Sequence, residues 1–296
     1  MKQIFKYIRI ILSYIHGLLL CVYYSLLPKR KLECRESGPY VIVSLTSYGR
    51  RVSRTLKYAV YSMIHQTFRP DRIVIWLDET AFSRETLPAS VRRLEKYGVE
   101  ICYCHDIKSY KKLVPSLVKY PDDIIITIDD DLVYKRTTIE GLMRKHQQYP
   151  DDVICSSAHI PTFGQQGLLP YKQWRLYVKK PDGKLLFPLG GSGTLYPPGS
   201  LYKDVTDDRI FMKVAPMADD VWFWFMTMYN GKRIRLAESG TVFRPIDLLY
   251  QLTHKKASLM QDNIGKNRND IQIAAVFSYY GIEMDKDSIE KMLTDV

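Results

Sequence analysis

The chain has 296 residues, of which 46% are hydrophobic and 25% charged, and its formal net charge at pH 7 is +11. This composition is ordinary for one large or two small folded domains, and the five cysteines follow no disulfide or zinc spacing, which argues against a disulfide-stapled secreted protein. The positive charge favours anionic partners. Because the basic residues are spread along the chain without a nucleic-acid-binding motif, we expect a membrane surface and a phosphorylated ligand, and no nucleic acid.

The first predicted element is an N-terminal segment, residues 1–36, that differs from the rest of the chain. Residues 10–27 are an uncharged, largely apolar run of 18, which is at the lower limit for crossing a bilayer. Basic residues lie on both sides of it and suit an anionic leaflet. We therefore predict a membrane-associating helix that either lies in the interface or forms a short anchor. A buried N-terminal helix is the alternative.

Strands and helices alternate from residue 40 onward. Strands are predicted at 40–45, 72–77, 99–104 and 124–129, and helices at 54–65, 86–96 and 110–120. This alternation predicts an α/β fold with a mostly parallel sheet and helices on both faces. Further elements are predicted at 137–149 (helix), 153–156 (strand), 221–229 (helix), 233–237 (strand), 269–280 and 286–293 (helices). The Pro-, Gly- and Tyr-rich stretch 159–199 is typical of a binding loop or lid.

The most informative stretch is I-I-I-T-I-D-D-D, residues 124–131. Its β-branched run is typical of a strand buried on both faces, and three unpaired carboxylates cannot enter such a core. Asp129, Asp130 and Asp131 are therefore predicted at the carboxyl end of the strand, where open α/β sheets bind ligands. On an extended backbone Asp129 and Asp131 would face the same way and share a divalent ion. A solvated acidic turn is the alternative.

Other polar residues follow strands at the same predicted edge. Thr46, Ser47 and Tyr48, with a glycine and two arginines after them, follow the first strand and suit a phosphorylated ligand, although an ordinary turn explains them equally well. Asp78 ends the second strand, and a solvated turn is an equal explanation for it. Lys112, near the start of a predicted helix, could stabilise the charge of a diphosphate.

Three features in the second half complete the candidate site. The loop G-G-S-G, residues 190–193, could let the backbone approach a ligand closely, or be a plain turn. Asp219 and Asp220 precede an apolar helix; one acid there is a common cap, but two exceed what a cap requires, so a general base is a hypothesis. His254, followed by two lysines, could serve a metal and a diphosphate together. A structural histidine is the alternative.

Taken together, these motifs resemble a glycosyltransferase of the GT-A fold, nearest to the bacterial family-two-like group. The resemblance covers about residues 39–255 and rests on V-S-L-T-S-Y, H-Q-T-F-R-P-D-R-I-V-I-W-L-D, I-T-I-D-D-D as an Asp-x-Asp motif, G-G-S-G, and A-D-D. It implies a nucleotide-sugar donor, most often a UDP-sugar, and a divalent cation, Mn²⁺ or Mg²⁺. Two departures are the L-D-E end of the second strand and the absence of an Arg-rich motif after Asp220.

The resemblance also implies roles for individual residues. Those of the donor nucleotide site would be Thr46, Ser47, Tyr48, Asp78, Lys112, Asp129 and Asp130. Those of the sugar and acceptor site would be Gly191, Ser192, Gly193 and Trp222. The metal ligands would be Asp129, Asp131 and His254, and the base of an inverting displacement would be Asp220, with Asp219 beside it.

The implied organisation is a membrane segment (1–36), a catalytic domain (37–255, divided at 132/133 into nucleotide and acceptor halves) and a helical extension (256–296). The N-terminal segment suggests a glycan or lipid-linked acceptor at the cytoplasmic face of a bacterial inner membrane. A haloacid-dehalogenase-like phosphatase with Asp129 as nucleophile is the rival enzyme, since I-T-I-D-D-D also fits its motif. The non-enzyme rival is a membrane-tethered glycan-binding scaffold.

Overall fold

The structure is a computed structural model that describes residues 2–178, 185–237, 244–245 and 267–293. The strands are β1 (Val41–Thr46), β2 (Arg72–Asp78), β3 (Val99–Cys104), β4 (Ile124–Thr127), β5 (Leu132–Val133), β6 (Val153–Cys155), β7 (Ala158–Ile160), β8 (Phe163–Gly164), β9 (Gly167–Leu168), β10 (Arg175–Val178), β11 (Phe187–Pro188), β12 (Thr194–Tyr196), β13 (Ile234–Leu236) and β14 (Arg244–Pro245). The helices are α1 (Lys2–Leu26), α2 (Arg51–Arg54), α3 (Leu56–Ile64), α4 (Ala89–Arg92), α5 (Val114–Lys119), α6 (Thr138–Gln148), α7 (Asp208–Val214), α8 (Asp219–Tyr229), α9 (Arg268–Tyr279) and α10 (Lys286–Met292).

A seven-stranded sheet in the order β13-β6-β12-β4-β1-β2-β3 organises the fold. Its neighbours pair in parallel except at β12, which runs antiparallel to both β4 and β6. The β-branched runs of β1, β2 and β4 place alternate side chains on opposite faces. Ile42 and Val74 point into one core, Val43 and Ile75 into the other, and all four are fully buried. The predicted mostly parallel α/β sheet is confirmed, with β12 as the antiparallel exception.

Some predicted helices are shorter or divided. The predicted helix 86–96 is α4 followed by a 3₁₀ turn at Arg93–Tyr97, and 110–120 is a 3₁₀ turn at Lys108–Lys112 followed by α5. Pro115 lies in the first turn of α5, where its missing N–H costs no helical hydrogen bond, so the helix begins there. These turns bring Lys112 to the carboxyl edge of the sheet.

The stretch that the sequence indicates as an irregular loop contains small strands. β10, β7 and β11 form a three-stranded antiparallel sheet, and β8 pairs with β9. Phe187 of β11 packs against Trp174 and Trp224, with ring centroids 5.3 Å away in both cases. This aromatic packing anchors the chain immediately before the glycine loop.

The N-terminal helix α1 contacts the domain along one narrow stripe. Cys21 and Tyr24 are buried against Val133 of β5. Its remaining described apolar side chains are largely exposed, namely Ile8, Ile11, Leu12, Ile15, Leu18, Leu19, Val22, Tyr23 and Leu26. Among the helices that the structure describes, none combines the length and apolar character needed to cross a bilayer.

The C-terminal helices pack into the same core as α8. Phe277 of α9 lies 4.9 Å from Phe225 in an edge-to-face contact, and Ile289 of α10 is fully buried. The helices within the predicted extension 256–296 are thus part of the domain's core.

Candidate functional site

The acidic segment after β4 is bound by the segment after β1. Regular pairing ends at Thr127, so the three aspartates lie beyond the strand. The Ser47 hydroxyl donates to the carboxylate of Asp130, and the Arg51 guanidinium pairs with Asp130 at 3.1 Å and Asp131 at 3.0 Å. Asp130 and Asp131, which an extended backbone would point to opposite sides, instead share one arginine. The reason is that the chain has left the extended conformation.

Asp129 faces a different cation, Lys112. The Lys112 ammonium lies 3.3 Å from Asp129 and 2.9 Å from Asp219, so it joins the two acidic segments. Burial alone would lower the pKa of Lys112, but the nearby carboxylates raise it well above its ordinary value. The carboxylate of Asp129 is 40% exposed, whereas the Lys112 side chain is 7% exposed. Asp129 therefore keeps a face open to a ligand.

Asp219 and Asp220 occupy the first turn of α8 but are held by other parts of the chain. Ala218 is the cap residue, and its side chain makes no capping hydrogen bond. Asp219 is buried and also accepts a hydrogen bond from the Ser109 hydroxyl at 2.8 Å. Asp220 is partly exposed. Burial and the neighbouring charge of Asp219 raise the pKa of Asp220 to about 7. Asp220 is therefore both accessible to a ligand and more basic than an ordinary aspartate. Asp219 is buried and bound by Lys112 and Ser109.

The glycine loop lies between the two acidic segments. The Gly190 amide donates to Asp220 at 3.2 Å, and the Thr127 hydroxyl donates to the Gly190 carbonyl at 3.0 Å. A Cβ at Gly190 would lie 2.6 Å from Asp220, and one at Gly191 would overlap the carboxylate of Asp129. A side chain at either position would therefore displace the neighbouring carboxylate. Gly191 therefore lies against Asp129, and its role in binding sugar stays a prediction.

The other predicted sugar- and acceptor-site residues lie away from this opening. Trp222 is fully buried, and its indole donates to the Val205 carbonyl at 3.1 Å. It is a core residue, so the prediction that it binds sugar is wrong; an apolar helix buries most of its side chains, not only one face. Gly193 faces Ser156 and Thr138 on the other side of the loop. Ser192, the residue before it, is buried.

Three predicted nucleotide-site residues lie at the ends of β1 and β2. The Thr46 hydroxyl donates to the Trp76 carbonyl at 2.8 Å. Asp78 accepts from the amide and the hydroxyl of Thr80, both at 2.8 Å. Tyr48 is 48% exposed, with the Arg51 guanidinium 5.1 Å from its ring centre. Of the three, Tyr48 presents the most open surface.

The described cluster carries more acid than base. Arg51 and Lys112 bring two positive charges to five carboxylates, those of Asp129, Asp130, Asp131, Asp219 and Asp220. Burial and neighbouring carboxylates raise the pKa of Asp130 and of Asp131, because the charged forms lose hydration and repel one another.

This donor chemistry fits a hard divalent ion, with Asp129 and Asp131 as the residues that would hold it. Within the described ranges, no group of three or more His, Cys, Asp and Glu side chains is arranged to hold a metal. Magnesium-type sites commonly use one or two carboxylates and complete their coordination with substrate phosphates, so two aspartates suffice for that mode. His254, the third predicted ligand, lies outside the described residues.

Two residues of the site were not identified from the sequence. Arg51 belongs to the pair of arginines expected at a phosphate, yet it binds Asp130 and Asp131 instead. Tyr134 accepts a hydrogen bond from the Asp129 amide at 2.8 Å and donates to the Gly191 carbonyl. No local pattern marks Tyr134, because its distant partner Gly191 meets it only in the folded chain.

The fold is similar to that of solved glycosyltransferases. The chain aligns over 97% of its length with 78% of the mannosyltransferase PcManGT from Pyrobaculum calidifontis, a structure in complex with GDP-Man and Mn²⁺, with TM-score 0.52 and 11% identity. It aligns over 87% of its length with 42% of S. aureus TarS, with TM-score 0.50 and 11% identity. No family model and no curated protein sequence matches the chain. The likeness confirms a GT-A-like fold.

Proposed function

We propose that the protein is a metal-dependent glycosyltransferase that moves a sugar from a nucleotide-diphosphate donor to a hydroxyl group. One observation carries this proposal. Two acidic segments almost ninety residues apart converge on Lys112 and the Gly190–Gly191 backbone in a GT-A-like fold, leaving Asp129 and Asp220 accessible. Sugar transfer requires charge stabilisation at the departing diphosphate and a base at the attacking hydroxyl, and these two carboxylates suit that division.

The proposed mechanism is a single displacement at the sugar's anomeric carbon. Asp220 takes the proton of the acceptor hydroxyl, a carbon–oxygen bond forms to the sugar, and the bond to the diphosphate breaks. A pKa of about 7 lets Asp220 accept a proton near neutral pH, and Gly190 holds its other side. Lys112 keeps Asp129 in place and adds positive charge near the leaving group. A divalent ion on Asp129 and Asp131 would supply further stabilisation of the diphosphate charge.

The donor nucleotide is proposed to bind beside β1 and β2. Tyr48 has an exposed ring on which a base can stack, and Thr46 and Asp78 border the same edge. Ser47 and Asp130 are buried, so their proposed contribution is to hold Arg51 and the acidic segment in position. A UDP-sugar is the donor that the sequence resemblance favours.

The acceptor is proposed to be an envelope glycan or lipid-linked glycan, reached at the cytoplasmic face of a bacterial inner membrane. The support is α1, whose described outer side chains are apolar and exposed from Ile8 to Leu26. The first 32 residues contain no acid, and Arg30 and Lys31 after α1 are exposed. A cationic, apolar helix suits an anionic bilayer surface.

A thermal-shift screen tests the proposed function. Nucleoside diphosphates and nucleotide sugars are added with and without Mn²⁺ to the wild type, Asp129→Asn and Asp131→Ala, with the exposed Asp122→Asn as matched control. A ligand at about 100 times its dissociation constant stabilises the fold by about 2.7 kcal/mol. We expect stabilisation that needs Mn²⁺ and is lost only in the Asp129 and Asp131 variants.

The rival functions give different results in the same preparations. Hydrolysis of a phosphomonoester that is lost in Asp129→Asn would identify the phosphatase. Metal-independent glycan binding without a nucleotide response would identify the scaffold. Either result would contradict the transferase proposal.

A further inference from the structure

The hydroxyl of Tyr134 joins the two parts of the site that face the donor. It accepts the Asp129 amide hydrogen at 2.8 Å and donates its own hydrogen to the Gly191 carbonyl. Gly191 in turn lies against the Asp129 carboxylate, where a side chain would not fit. Tyr134 itself is 1% exposed. One buried hydroxyl therefore links the first residue of the acidic segment, Asp129, to the glycine loop.

The main chain of Tyr134 is hydrogen-bonded to side chains of two helices. Its amide donates to the Ser62 hydroxyl of α3 at 3.2 Å, and its carbonyl accepts a hydrogen bond from the Tyr24 hydroxyl of α1 at 3.1 Å. Tyr24 is 2% exposed and packs on the ring of His65, with centroids 5.7 Å apart. Tyr134 thus connects α1, which bonds to its main-chain carbonyl through Tyr24, with Asp129 and Gly191, which bond to its hydroxyl.

We propose that Tyr134 is a positioning residue of the donor site and that α1 is part of that site through Tyr24. The role as a donor site rests on the proposed function, whereas the positioning itself rests on the contacts. Buried groups that hydrogen-bond to ligand-bearing segments fix their orientation, and their removal typically weakens binding 10- to 100-fold. Phenylalanine at 134 would keep the packing but leave the Asp129 amide and the Gly191 carbonyl without this partner.

The test compares Tyr134→Phe and Tyr24→Phe with Tyr280→Phe. The control removes a hydroxyl that bonds to Asp204 at 3.0 Å, away from the acidic cluster. The first readout is amide hydrogen exchange at 128–133 and 189–193, which needs no ligand. The second is the affinity for Mn²⁺ with UDP or GDP, measured by calorimetry, and the third is the melting temperature.

We expect Tyr134→Phe to speed exchange in both segments and to weaken nucleotide binding by about tenfold. Tyr24→Phe leaves the Tyr134 hydroxyl in place. It should speed exchange in both segments and weaken nucleotide binding, each by about fivefold. Tyr280→Phe should change neither, even where its melting temperature falls. Should Tyr134→Phe fold too poorly to measure, the exchange data of Tyr24→Phe decide.

Unchanged exchange at 128–133 and 189–193 in the two site variants would overturn the positioning role, whatever the protein binds. If no nucleotide binds to the wild type but exchange increases as expected, the positioning role stands and the proposed function fails. The two ideas are thereby separated by one set of samples.

Discussion

The two acidic segments of the site are positioned in different ways. Asp130 and Asp131 follow a buried strand and are bound by Ser47 of the β1–α2 connection and by Arg51 of α2, whereas Asp129 pairs with Lys112. Asp219 and Asp220 begin helix α8, yet their partners are Lys112, Ser109 and Gly190, from elsewhere in the chain.

This difference teaches how an acidic pair at a helix start is to be interpreted. Such acids are usually explained by capping or by the helix dipole. Here the cap residue is Ala218, whose side chain makes no hydrogen bond. The two carboxylates bind Lys112 and Gly190 instead of the amides of their own helix. Asp130 and Asp131 are thus held by residues that follow the neighbouring strand β1, the helix segment is held by Ser109 and Gly190, and Lys112 joins the two segments through Asp129 and Asp219.

Replacing Asp220 should have the largest effect on activity. Asp220→Asn removes the proposed base, so turnover should fall by about 10²- to 10⁴-fold while the Mn²⁺–nucleotide affinity changes little. Steady-state kinetics and calorimetry measure the two quantities. Asp208→Asn, an exposed acid on α7, is the control. A loss of nucleotide affinity equal to the loss of turnover would show that both acidic segments bind the donor.

Replacing Lys112 should release both segments together. Lys112→Met leaves Asp129 and Asp219 without their shared cation, and breaking a buried ion pair costs about 3–5 kcal/mol. Urea denaturation measures the free energy of unfolding. Lys119→Met, which breaks a partly exposed pair with Glu100, should cost less than about 1 kcal/mol. Equal costs for the two variants would contradict the bridging role of Lys112.

Substitutions of Gly190 and Gly191 should have different kinetic effects, because each glycine lies against a different acidic segment. Gly191→Ala displaces Asp129 and should weaken Mn²⁺–nucleotide binding by about tenfold. Gly190→Ala displaces Asp220 and should lower turnover, with a smaller loss of nucleotide binding. Neither Gly190 nor Gly191 has a positive φ, so the expected effects come from the contacts with the two carboxylates and not from backbone strain. If the two substitutions had the same kinetic effect, the segments would act as one unit.

Acid should weaken strands β7 and β11 and the glycine loop more than β1 and β2, with the smallest effect of the four. Burial lowers the pKa of His159, which packs near Phe187 before the glycine loop, from 6.5 to about 4. The neutral form is favoured in the folded state, so stability is complete above pH 6.5 and is lost as the pH falls toward 4, by about 1 kcal/mol at pH 5.5.

Hydrogen exchange at pH 7 and 5.5, with intrinsic rates corrected for pH, measures this difference. Segments 158–160 and 187–193 should lose protection, whereas β1 and β2 should keep theirs. His159→Gln should remove most of the pH dependence. Equal loss in all four segments would contradict the assignment to His159.

Sequence patterns were sufficient for the sheet and for part of the site. β-Branched runs such as residues 41–46 and 124–127 identify buried strands because packing between two helical layers demands them. Asp129 and Gly191 could be predicted as site residues because charge and glycine each have a cost in a buried strand or loop that only a special position removes. Trp222 was misassigned because an apolar residue has the same pattern in a core as in a binding site.

Local composition alone therefore determined the α/β fold class, the strand ends and the presence of acids at the sheet edge. The tertiary structure decided which acid meets which cation, that Asp220 is accessible and Asp219 is not, and that α1 reaches the site through Tyr24 and Tyr134. The physical reason is range. Strand formation and burial are governed by neighbouring residues, whereas the contacts Arg51–Asp131, Lys112–Asp219 and Tyr24–Tyr134 join residues that are far apart in the chain and meet only when the sheet has formed.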